Sequence, residues 1–249
     1  MNKIPLITFT FWVMKICATT LGETAGDLLS MTMNVGYAVS SLLLIGVFLV
    51  SLTAQLVSKR YHPVLYWLVI LTTSTAGTTM SDYMDRTLGL GYAKGALLLL
   101  GLLLSVLGCW CYLEGSLSVV KIKSFRGEVL YWTAILFSNT LGTALGDYLA
   151  DDSGLGFAGG ALLIGGLLVL VVIANYMTEI SKVALFWIAF VLTRPFGATM
   201  GDVLTKTKDK GGFDLGTVGA SAVLGAVLVT LILCVTWRQK KSGLKTDAL

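Results

Sequence analysis

The chain has 249 residues, of which 55% are hydrophobic and 13% charged, with a formal net charge of +4. A soluble domain carries about 25% charged residues, so this composition excludes an ordinary water-exposed fold and points to a polytopic membrane protein. The positive balance falls in short segments between apolar runs, where it sets topology and is not a footprint for nucleic acid.

A helix that crosses a bilayer needs roughly 20 mostly apolar residues. Eight such segments are predicted, near 5–27, 35–57, 64–84, 91–113, 129–149, 156–177, 183–204 and 216–237, leaving nothing for a soluble domain. The first begins like a signal peptide, with Lys3 ahead of an apolar run. Lys15 interrupts that run and no small-x-small cleavage site follows, so a retained first helix is expected. Lys15 itself is expected to play a structural part, paired with an acid or reaching for the interface.

Each odd segment ends in the same way. The four copies are Thr20-Leu-Gly-Glu-Thr-Ala-Gly-Asp27, Thr75-Ala-Gly-Thr-Thr-Met-Ser-Asp82, Thr140-Leu-Gly-Thr-Ala-Leu-Gly-Asp147 and Pro195-Phe-Gly-Ala-Thr-Met-Gly-Asp202. The aspartates are separated by 82−27, 147−82 and 202−147 residues, that is 55, 65 and 55. The unit is therefore a helix pair that has been duplicated twice. With two spans per unit, successive units point the same way and form parallel repeats in a 4+4 arrangement. The expected organisation is a first half at 1–115, a cytoplasmic linker at 116–128, a second half at 129–237 and a basic cytoplasmic tail at 238–249.

Orientation follows from the loops. Lys3, Lys59, Arg60, Lys121, Lys123, Arg126, Lys182, Arg238, Lys240, Lys241 and Lys245 lie at the termini and even loops, against Arg86, Lys94, Lys206, Lys208 and Lys210 at the odd ones. Eleven against five places both termini in the cytoplasm and the four aspartates toward the outer face. Aromatic pairs near the starts of odd segments, Tyr66-Trp67, Tyr131-Trp132 and Phe186-Trp187, suit a membrane interface. Short Gly-containing turns follow the aspartates, and the fourth, Thr205 to Phe213, is longer and rich in Lys and Asp.

On a helical wheel counted from each aspartate as zero, positions −9, −5 and −1 are small in all four copies. The stripe includes Gly22, Gly26, Gly77, Gly142, Gly146, Gly197 and Gly201, and small-residue stripes let helices approach closely. Beside it runs a polar face that contains Thr20, Glu23 and Asp27, then Thr75 and Asp82, then Asn139, Thr140 and Asp147, then Arg194 and Asp202. It covers about 12 Å of the outer half, at about 1.5 Å per residue. Four such faces are expected to converge on an oxygen-lined vestibule.

Ionisable groups inside a span are costly and mark function. An aspartate in the last turn also faces the negative end of its own helix, a placement that a cation, a partner or a helix break relieves. Glu23 lies one turn before Asp27, and two close carboxylates suit proton coupling or a divalent cation. Arg194 is expected to be a gate or counter-charge, and Pro195 beside it to kink its helix. Carboxylates and hydroxyls are hard donors for Mn²⁺, Mg²⁺ or Ca²⁺. The four cysteines give neither a disulfide framework nor zinc spacing, and the single His62 falls in a loop. There is no phosphate-binding glycine loop and no Ser/His/Asp set, so neither a cofactor nor an enzymatic activity is expected.

Three stretches carry a resemblance: Asn139-Thr-Leu-Gly-Thr-Ala-Leu-Gly-Asp-Tyr-Leu-Ala-Asp151, Leu185-Phe-Trp187 and Leu192-Thr-Arg-Pro-Phe-Gly-Ala-Thr-Met-Gly-Asp202. The chain resembles a bacterial family of uncharacterised multispanning "membrane-anchored" repeat proteins, which implies an integral protein of the cytoplasmic (inner) membrane. Glu23-x2-Gly26-Asp27 is more loosely similar to the Glu-x-Gly-Asp motifs of duplicated Ca²⁺/Mn²⁺–proton exchangers. The spacing here is one residue longer, and Leu28-Leu29 replaces their basic-hydroxyl pair.

The expected function is secondary transport of a small cation, a divalent metal such as Mn²⁺, Mg²⁺ or Ca²⁺, exported or exchanged against protons. Asp27, Asp82, Asp147, Asp202 and Glu23 would line the pathway, with Thr20, Thr75, Thr140 and Asn139 supporting it. The expected partners are the bilayer, the cation and protons, with a homo-oligomer left open and no nucleic acid. An organic-solute carrier or passive channel, and a non-transporting scaffold, are the alternatives.

Overall fold

The computed structural model describes residues 3–122 and 124–241. Lys123, the tail segment 242–249 with Lys245, and the side chains of Lys240 and Lys241 lie outside the described residues. Eight α-helices follow one another: α1 (Phe9–Asp27), α2 (Tyr37–Val57), α3 (Pro63–Asp82), α4 (Tyr92–Glu114), α5 (Phe125–Asp147), α6 (Gly156–Met177), α7 (Lys182–Thr205) and α8 (Gly216–Lys241). No strand occurs among the described residues. Local chemistry sets several of the starts. Thr8 and Ser124 accept hydrogen bonds from the backbone N–H groups of Phe11 and Gly127, and Pro63 occupies the first turn of α3. α5 begins at Phe125, inside the stretch 116–128 read as a linker.

The odd helices do not stop at their aspartates. After α1, α3 and α5 a π-helical turn continues the chain, at Leu28–Thr32, Tyr83–Thr87 and Tyr148–Asp152, while α7 itself runs on to Thr205. The aspartates therefore sit within helical structure, not at the negative end expected from the sequence. The reversal comes later, at Gly36, Gly91, Gly156 and Gly216, whose φ values of 82, 74, 66 and 65° favour glycine. α7 remains helical on both sides of Pro195.

The architecture is two concentric layers. α1 packs on α3, α3 on α5, α5 on α7, and α7 returns to α1, which closes an inner ring of the odd helices. Each even helix lies chiefly on the next inner helix: α2 on α3, α4 on α5, α6 on α7, and α8 on α1. The sequence unit is thus a helix pair whose outer member covers the following repeat. Contacts run without interruption between the two halves.

Apolar character is distributed inside out. α2, α4, α6, α7 and α8 are each long and apolar enough to cross a membrane, and the apolar stretches of α2, α4, α6 and α8 are only 11–22% buried within the protein. α1, α3 and α5 fall short of that apolarity because their polar faces turn inward, where Thr19, Thr73, Ser138 and Thr143 are fully buried. One end of the inner ring is closed by aromatic rings. Phe11 meets Trp67, Tyr66 meets Trp132, Tyr131 meets Trp187 and Phe186 meets Trp12, with centroids 5.6, 5.6, 6.4 and 5.7 Å apart. Tyr66, Trp67, Tyr131 and Trp132 are 0–1% exposed, so these pairs are core residues and not the interfacial anchors that their position suggested. Phe11-Trp12 is the fourth copy of the pair, overlooked in the sequence although it stands at the same distance from its aspartate.

Candidate functional site

The opposite half of the ring gathers the ionisable residues, and the glycine stripe determines how closely. At position −5 of each inner helix, Gly22, Gly77, Gly142 and Gly197 face Ser74, Asn139, Arg194 and Thr19, which are the −8 residues of the next helix around the ring. At −1, Gly26, Gly146 and Gly201 face Thr78, Ala198 and Glu23, the −4 residues of the next helix. A Cβ at Gly77 would lie 3.0 Å from the Asn139 backbone carbonyl carbon, so the backbones pack with no space for a side chain. The predicted glycine faces are packing surfaces, and apart from Gly146, which meets Ala198, they pack against polar residues.

That packing brings the −4 and −8 residues to the centre. Arg194, fully buried, donates from Nη2 to Glu23 Oε2 at 2.9 Å, Thr78 Oγ1 at 2.6 Å and Thr143 Oγ1 at 2.7 Å. Thr78 and Thr143 also donate to Glu23, at 3.2 and 3.5 Å. Glu23 thus faces the arginine of the fourth repeat. Arg194 Nε and Nη1 have no hydrogen-bond partner among the described residues. Below it, Asn139 donates to Thr73 at 2.9 Å and accepts from Lys15 at 3.4 Å. The Lys15 ammonium lies 4.1 Å above the Phe190 ring and has no carboxylate partner among the described residues, so it neither pairs with an acid nor snorkels. Desolvating a cation on a ring face is one of the few apolar ways to hold it.

Thr20, Thr75 and Thr140 stand apart from this network. Each donates to a carbonyl of its own helix, Ile16 at 2.9 Å, Leu71 at 3.2 Å and Leu136 at 2.9 Å. Position −7 is one step off the central face, and a threonine in a helix readily satisfies itself this way.

Above the Arg194 network, two basic residues clamp the four aspartates. Arg86 contacts Asp82 at 3.0 Å and Asp147 at 3.0 Å, and Lys206 contacts Asp202 at 3.1 Å and Asp27 at 3.5 Å. Each base pairs with the aspartate four residues earlier and with that of the next inner helix, so the clamps repeat with two-fold pseudosymmetry. Arg86 and Lys206 were read from the sequence only as loop charges. The signal was present, since Asp82-x3-Arg86 and Asp202-x3-Lys206 each place acid and base on one helical face. The aspartates are 2–5% exposed and Glu23 is 3%, so the polar faces converge on a filled core and not on an open vestibule.

Three carboxylates meet where the two tiers join. One oxygen each from Glu23, Asp147 and Asp202 lies within 4.8 Å of the others. They come from α1, α5 and α7, and oxygens at such separations can share one cation at ordinary oxygen–metal distances of about 2.0–2.6 Å. Four aspartates share two bases in the upper tier, so carboxylates outnumber their basic partners there by two.

All four repeats match a family described as Repeat of Unknown Function (DUF347), at residues 10–61, 65–116, 130–181 and 185–241. No curated protein and no solved structure matches. The match agrees with the repeat-protein resemblance, whereas the exchanger analogy finds no support.

Proposed function

The chain belongs to the Repeat of Unknown Function (DUF347) family, and we propose that its four repeats form a multispanning membrane protein that moves a small hard cation through the inner ring. The apolar outer layer around a polar, charged interior is the reverse of a water-soluble fold and suits hydrocarbon surroundings. All eight helices then cross the bilayer, including α1, α3 and α5, whose polar faces lie against one another. The loop charges orient both termini to the cytoplasm, and the bacterial inner membrane is the setting that the resemblance implies.

The observation that carries the reading is the convergence of Glu23, Asp147 and Asp202, each with an oxygen within 4.8 Å of the other two. An all-oxygen set selects Mn²⁺, Mg²⁺ or Ca²⁺ over softer metals. The two carboxylates by which the aspartate tier exceeds its bases match the charge of one such ion once both are ionised. Arg194, Arg86 and Lys206 hold the same carboxylates in the closed state and act as internal counter-charges that an entering cation displaces. Exchange against protons follows if the carboxylates release protons as the metal arrives.

The test is flux into proteoliposomes of Mn²⁺, Mg²⁺, Ca²⁺ and Co²⁺, with a metal reporter and a pH reporter inside. Wild type should carry at least one of them, and Asp147→Asn and Asp202→Asn should reduce it at least about tenfold, the scale on which a disturbed metal site loses affinity. Absence of flux for every ion with folded protein refutes the proposal. One observation favours a second reading: each acid of the site already has a basic or hydroxyl partner, as in a scaffold that only holds helices together. In that case both asparagine variants would keep their assembly and show no transport phenotype.

A further inference from the structure

The charged centre is not the only feature of the molecule built to receive something. At the aromatic end, a cavity of about 450 Å³ opens between the segment that precedes α1, α1 itself, α3 and the end of α8. That volume lies within the roughly 300–1,000 Å³ of small-molecule sites. Much of its wall is apolar, with Leu6, Phe11, Met14 and Trp67 among its residues. Thr8, Thr10 and Gln239 add polar groups to this lining, and two further polar features matter most. The hydroxyl of Tyr61, a residue only 8% exposed, finds no acceptor among the described residues. Arg238 stands on the exposed side of the cavity, and it begins a run with Lys240 and Lys241 just past the apolar length of α8.

We propose that this cavity binds an anionic phospholipid, with an acyl chain against Phe11, Met14 and Trp67 and the headgroup phosphate at Arg238. The charge and position of the basic group favour this occupant. An arginine at the mouth of an apolar crevice complements a phosphate attached to a hydrocarbon chain, and basic residues beside the cytoplasmic end of a spanning helix attract anionic headgroups. The Tyr61 hydroxyl gives the lipid ester region a donor that is otherwise left unsatisfied. The site also sits where α8 closes the outer layer onto α1, so a lipid held there would brace the joint between the last repeat and the first. The proposal rests on the membrane-spanning reading above and is independent of what the charged centre transports.

The experiment is native mass spectrometry of the full chain, released from detergent micelles containing equal phosphatidylglycerol and phosphatidylcholine. One phosphatidylglycerol should be retained per chain, preferred about fivefold, the factor that one basic side chain near an anionic surface supplies. Arg238→Gln should abolish the preference, and Thr10→Phe, which fills the cavity, should remove the retained lipid without loss of the folded chain. Equal retention of both lipids, or retention that neither substitution changes, overturns the proposal. So does lipid uptake that appears only when residues 242–249 are removed, because the chain's own tail would then be the occupant. Recovery of the chain from the soluble fraction would instead refute the membrane reading itself.

Discussion

The aromatic tier closes with one contact made four times, Phe11 on Trp67, Tyr66 on Trp132, Tyr131 on Trp187 and Phe186 on Trp12, whereas the acidic tier closes with two clamps and a single central arginine. Between them the glycines follow the four-fold pattern, and the residues they touch do not: Thr19, Ser74, Asn139 and Arg194 occupy equivalent places. Duplication supplied a ring that needs the same packing at every joint. Side chains that face the centre are under no such constraint, because only one copy of each chemistry fits on an axis. Symmetry retained marks the frame, and symmetry lost marks the place where chemistry was selected.

The sharpest way to break this comparison is at the frame. At Gly197 an added Cβ would come 2.5 Å from Thr19 Oγ1 and 2.9 Å from its backbone carbonyl carbon, while at Gly46 on α2 nothing lies within 4 Å. Gly197→Val should therefore prevent assembly of the ring, at a cost beyond the roughly 1–3 kcal/mol of ordinary overpacking because backbone must move. Gly46→Ala should leave the chain folded or stabilise it by up to about 1 kcal/mol, since alanine is the better helix former. Monodisperse yield and apparent melting temperature in detergent measure both. Equal tolerance at the two sites would show that the ring does not depend on close approach.

The second effect lies at the centre. Arg194 and Glu23 are 0% and 3% exposed, and removal of one member of a buried ion pair strands the other at a cost of about 3–5 kcal/mol. Glu23→Gln and Arg194→Met should each lower the apparent melting temperature strongly, and the double variant should recover most of the loss. Additive losses in the double variant would mean that the two side chains do not depend on each other.

Much of the frame was legible because it repeats. The spacing of the aspartates, the small residue at −5 and −1 and the apolar lengths fixed eight helices whose observed bounds fall within a few residues of those expected, such as 156–177 for α6. Less legible was which surface each helix offers to which neighbour. A helix pair in sequence suggests a packed hairpin, and nothing local reveals that α2 covers α3 instead. Aromatic residues near a helix end carry the same composition whether they meet lipid or one another, so Tyr66 and Trp67 read as interfacial when they are core. The polar residues at −7 and −8 are consecutive in sequence but about 100° apart around the helix, and that one step decides that Asn139 joins the centre while Thr140 bonds its own helix. Arg86 and Lys206 were within reach, since each lies four residues past an aspartate. Their role as partners of a second aspartate depends on the ring closing as it does.

The smallest effect tests whether the aromatic tier is four-fold in energy as well as in shape. Its −16 positions are Phe11, Tyr66, Tyr131 and Phe186, and the two tyrosine hydroxyls hydrogen-bond one another at 2.7 Å. Loss of one partner leaves a buried hydroxyl unsatisfied, at about 1–3 kcal/mol. Replacing both by groups of the same shape can be nearly neutral, and here the replacement already exists in repeats one and four. Tyr66→Phe and Tyr131→Phe alone should therefore each lower the melting temperature by a few degrees, and the double variant should lose less than either. A double variant that loses more than the two singles together would mean that the tyrosine pair contributes something beyond the packing that phenylalanine supplies at the other two joints. The aromatic end would then be a second place where the repeats had parted for a reason.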